Sequence, residues 1–241
     1  MSVIIKYKNS ILKQNIKCHV LFVEEKFKLS QLNKFITSSE INYVRDLLKN
    51  KDQTKMFLSF ELNSQKTIIL ISLKKNLKDQ DTENLGAKFF NLFQKNKIEN
   101  FVINSNSVQN QSKNFIGHFL HGLKLKSYSF EKYKSKKNKY KFSIIVTGTN
   151  IPSVKNQRKF QALEEGTYFT RDLVSEPGNI LHPDEYAKRI NLLNKIGLKI
   201  NILDERKLKK LGMNTLLGVG QGSIRGSYLV TMEWNGLKNN S

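Results

Sequence analysis

The sequence predicts an α/β protein in two parts: a domain with a mixed, largely parallel sheet over residues 1–150, then the incomplete start of a second α/β domain over 151–241. Three observations carry this expectation. Short apolar runs rich in β-branched and aromatic residues alternate with segments whose apolar residues recur every three or four positions. The alternation resumes after a polar, proline-containing stretch, TNIPSVKNQ at 149–157. The composition, 39% hydrophobic and 25% charged over 241 residues, is that of a globular chain able to bury a core.

In chain order, strands are expected at CHVLFV (18–23), MFLSF (56–60), TIILISL (67–73), FVIN (101–104) and FSIIVTG (142–148). Between them INYVRDLLKN (41–50), TENLGAKFFNLFQKN (82–96) and NQSKNFIGHFLHGLKL (110–125) each carry one apolar stripe, as a helix lying on a sheet does. After the linker a helix runs to about Leu173 and stops before Pro177, since the residue preceding a proline is driven out of the α region. Pro183 opens the next helix with Asp184 and Glu185 in its first turn, and Gly197 closes it. LKINIL (198–203) is a strand, Asp204 caps the short helix ERKLKKLG, and LLGV (216–219) and YLVTMEW (228–234) are two further strands.

Composition also bounds function. No apolar run approaches the roughly 20 residues that cross a bilayer, so no membrane partner is expected. The first ten residues lack the charged-then-apolar order of a signal peptide. A lone cysteine, Cys18, suits a reducing cytoplasm and reads as a buried structural thiol rather than a nucleophile. The formal charge of +21 points first to an anionic partner. However, 35 Lys stand against 6 Arg, and Lys, Asn and Ile together make 82 residues, the signature of an AT-rich genome. A phosphate-gripping surface favours the planar fork of Arg. The excess is concentrated before residue 150, with 27 basic and 11 acidic residues, against 14 and 9 after it. Its densest stretch, Lys124–Lys141, interleaves Tyr128, Phe130, Tyr133 and Tyr140 with eight Lys. That is the composition of a single-strand nucleic-acid surface; Tyr128 and Phe130 equally alternate as in a strand that faces a core.

The remaining chemistry-bearing residues have bland readings beside the functional ones. His118 and His121, at i and i+3, could share a metal, but no acidic or Cys partner accompanies them in sequence. Glu164 with Glu165, and Asp184 with Glu185, are adjacent pairs whose members point apart on a helix, so they read as solvated surface and helix-start charge. His182 stands alone before Pro183. GVGQGS (218–223) lacks the order of a phosphate loop and reads as a tight turn between strands.

Three segments resemble the leucyl aminopeptidase (cytosol aminopeptidase) family. GTYFTRDLVSEPGNILHPDEYAKRI (166–190) is similar to its R-D-L-x-N-x-P-x-N-x-x-x-P run through Arg171, Asp172, Leu173, Pro177, Asn179 and Pro183, with Ser175 in place of Asn. ILDERKLKKLGMNTLLGVGQGS (202–223) matches L-D-E-x-x-L-x-x-L-G-M-x-x-x-L-x-V-x-x-G-S through Asp204, Glu205, Leu208, Leu211, Gly212, Met213, Gly220, Gly222 and Ser223. HFLHGLKLKSYSFEKYKS (118–135) matches G-x-x-L-x-x-Y-x-F-x-x-Y-K through Gly122, Leu125, Tyr128, Phe130, Tyr133 and Lys134. A departure lies at Ile224–Tyr228, where the family has two prolines and an Arg.

The resemblance implies a macro-like amino-terminal domain, followed by the start of a metallopeptidase domain, usually within a cytoplasmic homo-hexamer. It implies peptide substrates, whose N-terminal residues are hydrolysed off with two divalent ions, Mn or Zn. The family's ligands, a Lys, several Asp and a Glu, belong to motifs that begin beyond Ser241. No residue of this sequence is therefore expected to be catalytic, cofactor-binding or metal-ligating, and these 241 residues are expected to be inactive alone. The alternative is a binding module, in which the basic amino-terminal domain holds a nucleic acid or a phosphorylated nucleotide.

Overall fold

The computed structural model describes residues 2–8, 17–95, 100–136 and 141–236. Two compact units divide the chain, residues 1–168 and 169–241.

The first unit is built on six strands: β1 (Ser2–Lys8), β2 (Cys18–Glu24), β3 (Phe57–Asn63), β4 (Lys66–Leu73), β5 (Asn100–Asn104) and β6 (Lys141–Thr147). They form one sheet in the order β1-β6-β5-β2-β4-β3. Every neighbouring pair is parallel except β3 and β4, a hairpin in which the Asn63 carboxamide oxygen accepts from the Gln65 amide at 2.8 Å. The sequence explains the order. In β4 the four successive residues Ile68, Ile69, Leu70 and Ile71 are fully buried, as a strand covered on both faces requires. β1, not assigned from the sequence, is an edge strand in which Ile4 and Lys6 face solvent while Val3 is buried.

Three helices cover the sheet: α1 (Ser38–Lys49), α2 (Asp79–Phe93) and α3 (Phe115–Ser127). α1 starts at a capping box, with Thr37 Oγ1 accepting from the Glu40 amide and the Glu40 carboxylate accepting from the Thr37 amide. Its Ile41, Val44 and Leu48 pack on one face of the sheet with Leu21, Val23 and Phe60. α2 and α3 cover the other face through a phenylalanine-rich layer that includes Phe89, Phe90, Phe115 and Phe119. Within it Phe22 meets the rings of Phe115 and Phe119 edge-on at 5.3 and 5.5 Å, a geometry that aligns ring edge with ring face. α2 and α3 touch through glycine: a Cβ on Gly86 would collide with the Phe119 carbonyl, and one on Gly122 with the Glu83 carbonyl.

The long helix α4 (Val154–Ser175) begins inside the polar stretch 149–157 expected as a linker, passes from the first unit into the second and ends two residues before Pro177. The second unit continues with α5 (Pro183–Asn191), β7 (Lys199–Leu203), α6 (Glu205–Lys210), α7 (Asn214–Gly220) and β8 (Leu229–Glu233). Pro183 fills the first turn of α5, Gly197 (φ 98°) terminates the 3₁₀ turn after it, and the Asp204 carboxylate caps α6 by accepting from the Lys207 amide. β7 and β8 pair antiparallel, Lys199 opposite Glu233.

Two expectations fail here. LLGV (216–219) is not a strand but lies within α7, because a four-residue run with three aliphatic side chains fills one helical turn as readily as a short strand. Gly212, left-handed at φ 68°, ends the turn after α6 and lets the chain restart as a helix at Asn214. GVGQGS consequently spans the end of α7 and the turn after it, not a strand-to-strand connection.

Candidate functional site

A cluster of ionisable side chains in the first unit surrounds the two histidines of α3. His118 and His121 share one helix face, as their spacing requires. His118 Nδ1 lies 2.7 Å from Glu83 Oε1 and its Nε2 3.3 Å from Asp79 Oδ2, both acids coming from α2. His121 Nδ1 lies 3.3 Å from Glu164 Oε1 on α4. The Phe160 ring stands between them, 5.0 Å from the His118 ring and 5.3 Å from that of His121, and it also packs on Gly117. The expectation that no acid accompanies these histidines is therefore corrected. Their partners lie 35 to 43 positions away and are delivered by helix packing. Glu164 is likewise not solvated surface, since its side chain is 14% exposed. Glu165 points elsewhere and accepts from Gln161.

This cluster fastens helices and does not fit a metal. The two carboxylates on His118 sit at opposite ring nitrogens, so one cation cannot touch all three groups. Among the described residues no three His, Cys, Asp or Glu side chains gather as a metal site. Nearby, burial and then the negative charge of Glu164 push the Tyr7 hydroxyl up to about 12, so it stays protonated. Burial alone pushes the Cys18 thiol up to about 12, which removes it as a nucleophile.

In the second unit the residues after α4 form an ion-pair network. Arg189 on α5 donates to Glu176 Oε1 at 2.8 Å and to Glu185 Oε1 at 3.0 Å. The Glu176 side chain is 1% exposed, so this is a buried charge with a charged partner. His182 pairs with Asp184 through Nδ1, and Arg225 approaches the same carboxylate at 4.0 Å. Burial raises the Asp184 pKa, but the His182 hydrogen bond, one from Asp184's own amide and the nearby Arg225 outweigh it and hold the carboxyl below its ordinary value. Pairing between first-turn acids and the neighbouring loop was not legible from charge spacing, although the proline start was.

Of the basic stretch Lys124–Lys141, residues 137–140 lie outside the described residues. The rest does not form the expected strand at Tyr128 and Phe130: both are half-buried in irregular backbone, and Tyr133 is exposed. The Tyr168 hydroxyl of α4 donates to the Lys124 carbonyl, tying the start of this stretch to the helix.

Comparison with known proteins supplies what the geometry lacks. The model of the cytosol aminopeptidase family N-terminal domain matches residues 20–137, and that of the same family's catalytic domain matches 168–241. A probable cytosol aminopeptidase of Sinorhizobium medicae (strain WSM419) is 45% identical over 128 residues, which cover 50% of this chain and 26% of the relative. One from Phytoplasma mali (strain AT) is 45% identical over 131 residues, 52% of this chain and 26% of that protein. The matched part thus spans about a quarter of the length of these curated relatives. Among solved structures, a mutant of tomato leucine aminopeptidase superposes with a TM-score of 0.72 at 16% identity, covering 96% of this chain and 50% of that one. The bottromycin maturation enzyme BotP in complex with Mn gives 0.68 at 15% identity, covering 91% and 45%. At such identities the superpositions show a shared fold.

Proposed function

The chain belongs to the cytosol aminopeptidase family, and from that premise we propose that its residues serve as the amino-terminal domain and the opening of the catalytic domain of a metal-dependent aminopeptidase. The reaction is release of the N-terminal residue from peptides in the cytoplasm, with two divalent ions, Mn or Zn, in a homo-hexamer. The observation that supports this reading best is collinearity: two domains of one family match in the family's order, one within each compact unit. The BotP complex with Mn lends support to the choice of metal.

The two ions would polarise the scissile carbonyl and activate water. No step of that chemistry is assigned to residues 1–241; of their described acids, Asp79 and Glu83 pair with His118, Glu164 with His121, and Glu176 and Glu185 with Arg189. What these residues contribute is scaffold. The 241-residue chain by itself is expected to leave leucine p-nitroanilide intact with either Mn²⁺ or Zn²⁺. Fused to the carboxy-terminal remainder of the Phytoplasma mali relative, it is expected to hydrolyse that substrate and to stop when a chelator is added. Turnover by the isolated chain would overturn the inactivity, and a folded but inactive fusion would overturn the aminopeptidase reading.

A further inference from the structure

Among the described residues, every non-glycine with a left-handed backbone lies at one end of the six-stranded sheet. Lys26 (φ 60°) and Phe27 (φ 51°) follow β2, Asn76 (φ 51°) follows β4, and Asn110 (φ 53°) follows β5. β5, β2 and β4 are adjacent and parallel, so all three loops gather at their carboxyl ends. Asn visits the left-handed region readily, but for Lys26 and above all for the bulky, buried Phe27 that backbone is unfavourable. Strain of this kind persists where surrounding structure enforces it, and it collects at ligand clamps.

The loops grip one another. The Asn76 amide donates to the Asn110 carbonyl at 3.0 Å. The Gln111 side chain donates to the Lys74 carbonyl at 2.6 Å and accepts from the Leu77 amide at 3.0 Å. Asn110 Nδ2 donates to Glu24 Oε1 at 3.1 Å. The loops after β4 and β5 are thereby strapped together across the end of β2.

That place is also where the topology reverses. From β2 the chain passes through α1 on one face to reach β3 and β4 on one side, then through α2 on the other face to reach β5 on β2's other side. The crevice this leaves at the carboxyl end of a parallel strand is where open α/β sheets hold ligands. Here it carries Lys28, Lys74 and Lys75 with a single acid, Glu24, which accepts from Asn110 and pairs with Lys28 Nζ at 3.9 Å, leaving Lys74 and Lys75 as its remaining cations. Its enclosed room is about 20 Å³, enough for one water-sized atom and too little for a ring.

We propose that this strapped crevice binds one tetrahedral oxyanion, the phosphate group of a monoester or free phosphate, held at its mouth by Lys74 and Lys75. Recognition is ionic, since the Ser107 hydroxyl is already occupied, accepting from the Phe22 amide and donating to the Asn104 carbonyl. The test is calorimetric titration of the 241-residue chain in low salt with inorganic phosphate, and separately with phenyl phosphate. One saturable site is expected. Binding of phosphate itself assigns the free ion, and binding of phenyl phosphate alone assigns a monoester. Lys74 and Lys75 are exposed, so K74A/K75A is expected to weaken binding at least tenfold without moving the melting temperature. K132A/K134A removes the same charge away from the crevice and is expected to change binding less than twofold. Equal weakening by both pairs, or no saturable site with either probe, would overturn the proposal in favour of diffuse attraction to a highly cationic protein.

Discussion

The two units are stabilised by different means. Residues 1–168 enclose an apolar layer on each face of a six-stranded sheet, with β2 and β4 shared between the layers. Residues 169–241, among those described, bury only Leu173, Ala187, Ile190 and Leu208, while Val219 is 84% and Ile224 fully exposed. Their helices and strands are instead fixed by local devices: a proline start, a left-handed glycine stop, an aspartate cap and the Arg189 network. Regular secondary structure can therefore be specified over a short span without a closed core, but cooperative stability cannot, because buried apolar area is the dominant favourable term.

The largest test of this contrast is Phe119→Ala. Phe119 is fully buried and its ring meets those of Phe22, Phe89 and Phe115. Truncation is expected to cost about 3–5 kcal/mol, as other buried aromatics do, read as a lowered denaturant midpoint for the amides of β2, β4 and β5. Hydrogen exchange in β7 and β8 is expected to be unchanged. A loss of protection in β7 and β8 as large as that in the sheet would break the contrast and make the two units one cooperative body.

A smaller effect is expected from Arg189→Ala, which strands the Glu176 carboxylate. Removing one member of a fully buried pair costs about 3–5 kcal/mol. The Arg189 side chain is 19% exposed, and partial solvation reduces the expectation to about 2 kcal/mol. Faster exchange in α5 with β2 and β4 untouched is the predicted result. If R189A leaves α5 unaffected, the ion pairs do not fix the second unit and its order must come from elsewhere.

How far the sequence shows these differences depends on the range of the interaction. The central strands were legible because Ile68–Ile71 is an apolar run that only a doubly covered strand accommodates, and α2 because Leu85, Phe89 and Phe93 repeat at helical spacing. β1 was missed since Lys6 and Lys8 interrupt SVIIKYK, as an edge strand tolerates. LLGV was misread because a four-residue run has no measurable period. The partners of His118 and His121 were invisible: α3 displays both rings on one face, but what meets them is decided by how α2 and α4 dock. Family resemblance rested on motifs at 118–135, 166–190 and 202–223, and both domain models match there. The strapped crevice gave no sequence signal, because left-handed Asn76 and Asn110 sit in loops of ordinary composition.

The smallest expected effect separates charge from burial inside the first unit. Glu40 pairs with Lys66 Nζ at 2.6 Å across 26 positions, with side chains 20% and 29% exposed. Burial raises the Glu40 pKa, yet the Lys66 bond and the Thr37 contacts outweigh it and hold the carboxyl below its ordinary value. A carboxyl whose pKa is lower folded than unfolded contributes stability that is fully present above the unfolded value, about 4.3. That contribution is lost as pH falls through the folded value. Glu40→Gln keeps an acceptor for the Thr37 amide, so the capping box survives, and the substitution removes charge alone. It is expected to cost about 1 kcal/mol at pH 7, in the range of a partly exposed pair. The difference from the unsubstituted chain should close as urea midpoints are followed downward from pH 5. A cost that persists unchanged to the acid limit would mean that packing, not charge, joins α1 to β4. The first unit would then owe its stability to burial even where it displays an ion pair.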